Sequence, residues 1–106
     1  MNNFEEFKEE YKVKAYKGPV PGDYFHPGEY LYDELEATGI TQKELSIKAG
    51  LAYTMVNEII KGKRSITALT ALKIQKAIGF PAAVLLRLQN TYDLYLVQKE
   101  HPELAL

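Results

Sequence analysis

Residues 41–60 read TQKELSIKAGLAYTMVNEII, and this stretch decides the fold. It begins with a capping box, in which the Thr41 hydroxyl accepts a hydrogen bond from the Glu44 amide and the Glu44 carboxylate reaches back. Gly50 ends the helix that this box opens, and a second helical pattern runs from Ala52 to Lys61. The stretch therefore predicts two short helices joined by a tight turn.

Apolar residues at helical spacing give both short helices an inner face. Leu45 and Ala49 lie on the inner face of the first, and Val56 and Ile59 on that of the second. The N-terminal end of the second helix is then expected to project from the surface, where it can enter a DNA major groove. Similar helix pairs occur in proteins that do not bind DNA, so the spacing alone does not decide whether this pair binds DNA.

The flanking sequence predicts more helices and no strand. A helical pattern from Glu29 to Thr38 ends at Gly39, and Thr67 caps another pattern that ends at Gly79. A last helix is expected from near Pro81 to about Lys99. The pattern from Thr67 to Gly79 has a predicted buried stripe formed by Ala71, Leu72, Ile74, Ala77 and Ile78. The prediction is an all-α fold of five helices.

Breaker residues divide the chain into three segments. The run GPVPGD at 18–23 indicates a linker, so we expect residues 1–25 to form an N-terminal arm with a short helix. Residues 26–80 are the predicted helix-turn-helix core. Residues 81–106 are the predicted C-terminal helix, with a dimerisation surface and a tail.

The composition excludes several classes of function. The 106 residues include no cysteine, which rules out disulfides and thiolate chemistry and suits a cytoplasmic protein. The longest apolar run, at 82–86, is far too short to span a membrane. The two histidines, His26 and His101, lie at opposite ends of the chain, and no spacing suggests a metal site or a catalytic cluster. We therefore expect no enzyme, no cofactor and no metal.

The charge distribution permits DNA binding without indicating it. The net charge is −1, but residues 27–90 carry eight basic and six acidic residues, whereas both ends are mildly acidic.

Five segments in one collinear register resemble the HigA antitoxin family over about residues 26–96. They are HPGEYL at 26–31, GITQKEL at 39–45, GKRSITA at 62–68, ALKI at 71–74 and LQNTYDL at 88–94. The resemblance implies a lambda-repressor-like domain that forms a homodimer and represses its own operon at a palindromic operator in double-stranded DNA. It also implies binding to a small mRNA-cleaving toxin, a HigB-like protein encoded beside it.

The resemblance assigns DNA-binding roles to eight residues. Gln42 is similar to the family's phosphate-binding glutamine; the alternative is an ordinary exposed residue at a helix start. Outward positions of the second short helix are expected to contact bases, and basic residues after it to contact phosphates. These are Tyr53, Thr54, Asn57, Glu58, Lys61, Lys63 and Arg64. The alternative is a solvated helix face.

Two residues depart from the family pattern. Ala52 stands where the recognition helix usually carries a Ser or Thr cap, which costs about 1 kcal/mol of local helix stability. Glu58 stands where relatives often have a basic or neutral polar residue, and its carboxylate repels phosphates unless it accepts from a cytosine amino group.

The ends of the chain are candidate protein interfaces. A stripe on the last helix is expected to form the dimer: Leu85, Leu88, Tyr92, Tyr95 and Leu96. A buried terminal helix in a monomer is the alternative. In the arm, Phe4, Phe7 and Tyr11 are candidates for toxin contact, although the arm can equally fold back on its own domain.

Two other functions stay open at this point. One is a stand-alone regulator of the same fold without a toxin partner. The other is a protein-binding module whose DNA-contacting helix has lost that role.

Overall fold

The computed structural model describes residues 25–104, and this part of the chain holds five α-helices and no strand. The helices are α1 (Pro27–Thr38), α2 (Gln42–Ala49), α3 (Tyr53–Ile60), α4 (Ala68–Ile78) and α5 (Ala82–Glu100), followed by a 3-10 turn at Pro102–Leu104. The predicted all-α, five-helix architecture is confirmed. The arm residues Phe4, Phe7 and Tyr11 lie outside the described residues.

The local signals at the helix ends are present as the sequence predicted. The Glu44 amide donates to the Thr41 hydroxyl at 3.0 Å, and the Thr41 amide donates to the Glu44 carboxylate at 2.9 Å. Gly50 adopts a left-handed conformation with φ 66°, which an L side chain rarely accepts, so the tight turn between α2 and α3 depends on it. α1 begins two residues earlier than expected because Pro27 occupies its first turn.

The core is a single cluster to which all five helices contribute. α2 packs against α3 and α4, α1 packs against α3 and α5, and α4 packs against α5. The largest fully buried side chains are Leu31, Leu45, Ile59, Ile74, Leu85 and Val56, together with Pro27. α3 is thus fixed by contacts with both α1 and α2.

Two apolar residues were assigned to the wrong environment by the sequence pattern. Leu72 was predicted to be buried but is 56% exposed, because the face of α4 that meets the core is formed by Thr70, Ala71 and Ile74. Leu85 was predicted to contact a second chain but is fully buried in the core of its own chain. Leu85 is therefore a core residue in this structure.

Gly28 brings the first turn of α1 against the end of α3. A Cβ at Gly28 would overlap the carbonyl oxygen of Ile59 and lie 2.8 Å from its carbonyl carbon. Because these neighbours are backbone atoms, they cannot move aside as a flexible side chain would. Gly28 therefore sets how closely α3 approaches α1.

A buried glutamine ties α5 to the segment that follows α3. Gln89 is 5% exposed, and its Oε1 accepts a hydrogen bond of 2.8 Å from the Ile66 amide. Its Nε2 donates to Asp93 at 2.9 Å, so both ends of the side-chain amide are paired.

In the described part of the chain, no helix combines the length and apolar character needed to cross a bilayer.

Candidate nucleic-acid interface

The outer face of α3 carries polar and aromatic side chains on a rigidly packed helix. Val56 and Ile59 are each 1% exposed and point into the core. Tyr53, in the first turn of the helix, is 51% exposed, and Thr54 beside it is also exposed. The predicted base-contacting end of the helix is therefore accessible.

Gln42 and Asn57 form a direct link between the two helices of the motif. The Asn57 Nδ2 donates to the Gln42 Oε1 at 3.0 Å, across 15 residues of sequence. Because the Gln42 oxygen is engaged, its amide NH2 group is oriented as a donor for a further acceptor such as a phosphate oxygen. Sequence reasoning named both residues but missed this bond, which no local pattern indicates.

At the start of α2, the backbone amides of Gln42 and Lys43 have no acceptor among the described residues. The capping box satisfies the amides of Thr41 and Glu44, and the Leu45 amide donates to the Thr41 carbonyl at 3.0 Å. The first amides of a helix have no acceptor within the helix, which makes such a terminus attractive to anions. Hydrogen bonds with Thr41 lower the pKa of the Glu44 carboxyl, so this group is charged at neutral pH.

Glu58 on α3 is paired with Arg64 in the following segment. The Arg64 Nε and Nη2 atoms each lie 2.8 Å from the same carboxylate oxygen, Oε1. Both side chains are about half exposed, at 44% for Glu58 and 47% for Arg64. The carboxylate that was expected to repel phosphates therefore lies beside a compensating positive charge.

The segment that ends α3 holds two lysines on a fixed backbone. Gly62 has φ 76°, its amide donates to the Ile59 carbonyl, and the Lys63 amide donates to the Glu58 carbonyl at 2.8 Å. This pattern of two bonds is a Schellman motif, in which Gly62 is the left-handed residue that ends the helix. Lys61 and Lys63 are exposed, and neither forms an ion pair with a described residue.

His26 connects α1 and α5 with the basic segment that follows α3, which holds Lys61, Lys63 and Arg64. Its Nδ1 accepts a hydrogen bond of 2.9 Å from the Gly28 amide, and its ring meets the Tyr92 ring edge-on with centroids 5.1 Å apart. Burial lowers the pKa of His26, and a hydrogen bond with the Arg64 backbone and the charges of Asp93 and Glu29 offset this only in part. His26 therefore caps α1 and also contacts the segment that follows α3.

The N-terminus of α3 lacks a side-chain cap. Ala52 occupies the cap position with an extended backbone, φ −64° and ψ 141°, and no side chain accepts from the first turn. The recognition helix therefore lacks the Ser or Thr cap that the family pattern has at this position, as the sequence indicated.

The predicted dimer residues do not form one exposed stripe on α5. Leu85 is in the core, Tyr92 packs on His26, and Tyr95 lies 6.0 Å beneath the Lys99 ammonium group. Leu88 is half-buried, and Leu96 is 37% exposed.

Among residues 25–104, no cluster of acidic, histidine or cysteine side chains is arranged to hold a metal ion.

Comparisons with known proteins identify the same motif. The helix-turn-helix family model matches residues 31–85, which include all of α2, α3 and α4. Virulence-associated protein I of Dichelobacter nodosus is 33% identical over 89 residues, which are 83% of this chain and 81% of the relative.

Solved structures of antitoxins have the same fold. An addiction module antidote protein of the HigA family from Coxiella burnetii aligns with a TM-score of 0.70 and 33% identity, covering 76% of this chain and 88% of that chain. A Pseudomonas aeruginosa HigA antitoxin, solved with the higBA promoter, aligns with a TM-score of 0.71 and 27% identity, covering 76% of this chain and 88% of that chain. The chain therefore belongs to the helix-turn-helix family, in the group that contains the HigA antitoxins.

Proposed function

We propose that this chain is a sequence-specific DNA-binding autorepressor and the antitoxin of a toxin–antitoxin pair. The observation that carries the DNA-binding part is the exposed face of α3, with Gln42 at one end and the basic segment of Lys61, Lys63 and Arg64 at the other. The antitoxin part rests on the similarity to HigA proteins from two bacteria.

The proposed binding mode inserts the N-terminal half of α3 into the major groove. Tyr53 and Thr54 then contact base edges, while Gln42 and the two lysines contact phosphates on either side. Phosphate contacts supply much of the affinity, so binding weakens as salt rises. Repression follows because the bound protein occludes the polymerase from the promoter.

A homodimer is part of the proposal because a palindromic operator presents two equivalent half-sites. Their centres are about 34 Å apart, one turn of DNA, which two recognition helices related by a two-fold axis can match. α5 offers apolar surface for such an interface. Leu94 and Val97, three residues apart on the same side of α5, are 57% and 47% exposed.

The toxin partner is proposed to be a small mRNA-cleaving protein of the HigB type. Co-expression of this chain with any small ribonuclease that is encoded beside its gene tests the pairing. Restored growth and a co-purifying complex support the antitoxin function. A toxin that stays active, with no complex, favours a stand-alone regulator of the same fold.

The DNA-binding function is tested by fluorescence anisotropy with DNA from immediately upstream of the gene and with a scrambled duplex. The test variant is Tyr53→Ala/Thr54→Ala on α3. Tyr30→Ala is a matched control because Tyr30 is also an exposed tyrosine, at 38%, but lies on α1. We expect saturable binding to the upstream DNA for the wild type and the control, and a loss of at least about tenfold in affinity for the variant.

Equal and weak binding to both duplexes, unchanged by the α3 substitutions, would contradict this function. That result would favour a protein-binding module in which the helix-turn-helix is only a scaffold.

A further inference from the structure

The Glu58–Arg64 pair leaves one carboxylate oxygen of the half-exposed Glu58 side chain without a partner among the described residues. Both Arg64 contacts converge on Oε1, and no described residue donates a hydrogen bond to Oε2. Glu58 follows Thr54 by four residues, so the two side chains lie on the same face of the helix. An acceptor with no described partner thus stands one turn beyond the predicted base contacts.

Arg64 reduces the electrostatic penalty of a carboxylate at this position. An unpaired carboxylate facing a phosphate backbone is repelled, whereas a contact ion pair has no net charge. The arginine also restrains the Glu58 carboxylate, since its Nε and Nη2 atoms both contact Oε1. Lys61 and Lys63, which are not paired with described acidic residues, keep their charges for the phosphates.

The chemistry of the base edges selects the partner of Oε2. A carboxylate only accepts hydrogen bonds, and in the major groove only the amino groups of cytosine and adenine donate them. Adenine also presents its N7 acceptor beside the amino group, which opposes a carboxylate. Guanine and thymine offer acceptors or a methyl group, so cytosine is the base that fits.

We propose that Glu58, positioned by Arg64, is a specificity-determining residue that accepts a hydrogen bond from a cytosine amino group in each operator half-site. This inference rests on the proposed DNA-binding function and adds to it the base that one residue reads. Glu58 is the contacting residue, and Arg64 is a positioning residue that acts through it.

The test measures affinity for a set of duplexes in which every operator position is changed in turn to each of the four bases. The wild type is expected to prefer cytosine at one position per half-site by roughly five- to 150-fold. Glu58→Ala should abolish this preference at that position and leave the preferences at other positions unchanged. Arg64→Ala should reduce the same preference because the carboxylate is no longer held.

Glu58→Gln provides the sharpest readout. A glutamine amide both donates and accepts, which matches adenine N7 and N6, so the preferred base at that position should change from cytosine to adenine. Asp33→Asn on α1 is the control, because it removes an exposed carboxylate from a helix outside the motif and should keep the wild-type profile. Both members of the pair are half exposed, so thermal unfolding should show folded variants.

Three results would overturn the inference in distinguishable ways. If the wild type discriminates between upstream and scrambled DNA but Glu58→Ala has the same base profile, only the role of Glu58 is wrong. If the wild type does not discriminate at all, the DNA-binding function and the inference fail together. A uniform rise in affinity for all duplexes in Glu58→Ala would also contradict the proposal, because it would make Glu58 a source of repulsion alone.

Discussion

At the scale of single residues, His26 connects α1 and α5 with the segment that follows the recognition helix. Its ring accepts from the Gly28 amide, packs on Tyr92 and lies 3.7 Å from where a Cβ of Gly62 would be. An imidazole that accepts at Nδ1 must be unprotonated there, and burial lowers the pKa of His26 below the ordinary value of 6.5. The fold therefore depends on a neutral histidine.

The free energy of unfolding is predicted to fall as the pH drops below about 6.5. In that range the unfolded chain binds a proton at His26 that the folded chain does not bind, so acid favours the unfolded state. The loss is at most about 1.4 kcal/mol per pH unit and ends below the folded pKa. Urea unfolding between about pH 7.5 and 5.5 measures it.

His26→Asn keeps a capping acceptor but cannot titrate, so its stability should lack this decrease. His101→Gln is the matched control, because His101 is exposed beyond the end of α5 and its variant should follow the wild type. A wild type with constant stability down to pH 5.5 would contradict the role given to His26.

The lowered pKa of the Glu44 carboxyl affects stability in a more acidic range. Its stabilising contribution is present above the ordinary pKa of 4.5 and is lost as the pH falls further.

At the scale of the helices, the two members of the motif differ in how they begin. α2 has a complete capping box between Thr41 and Glu44, whereas the cap position of α3 is Ala52, which has no side-chain acceptor. The position of α3 is set instead by packing, through Val56, Ile59 and the close approach of Gly28. Its first turn, which carries Tyr53 and Thr54, is the part with the weakest local support.

Ala52→Ser is predicted to stabilise the protein by about 1 kcal/mol, because the backbone at Ala52 is already extended as a cap requires. The serine hydroxyl would accept from an amide in the first turn of α3. Urea unfolding followed by circular dichroism measures the change, and Thr41→Ala, which removes the existing cap of α2, should give a loss of similar size. An unchanged midpoint for Ala52→Ser would show that the first turn needs no cap.

The helix boundaries were predictable because their signals are local. The capping box at Thr41, the left-handed glycines and the cap at Thr67 each act within a few residues, and all were confirmed. The Gln42–Asn57 and Glu58–Arg64 contacts were not predictable, since they depend on how separate elements pack. Leu72 and Leu85 were misplaced for the same reason: both are apolar, and only the packing decides which one is covered.

At the scale of the whole molecule, a net charge of −1 is compatible with DNA binding because the charges are unevenly placed. Lys61 and Lys63 lie beside α3, while α1 carries acidic residues on its exposed side, including Glu29, Asp33 and Glu36. The protein is thus expected to approach DNA with α3 foremost and α1 turned away.

The proposed homodimer predicts a mass twice that of the 12.0 kDa chain in sedimentation equilibrium. Leu94→Glu/Val97→Glu places charges on the exposed apolar part of α5 and should produce a monomer that is still folded. Tyr30→Ala on α1 should stay dimeric. A wild-type monomer at all concentrations, or a double variant that remains a dimer, would exclude this part of α5 as the interface.

The most direct test of the central claim, that α3 and its flanking residues bind DNA, is a map of backbone amide chemical shifts during titration of the isotope-labelled protein with its upstream DNA. The account predicts that the large changes cluster at the start of α2, along the exposed side of α3 and in residues 61–65. The exposed side of α1 should change little. Changes confined to α4 and α5, or no changes at all at saturating DNA, would contradict it.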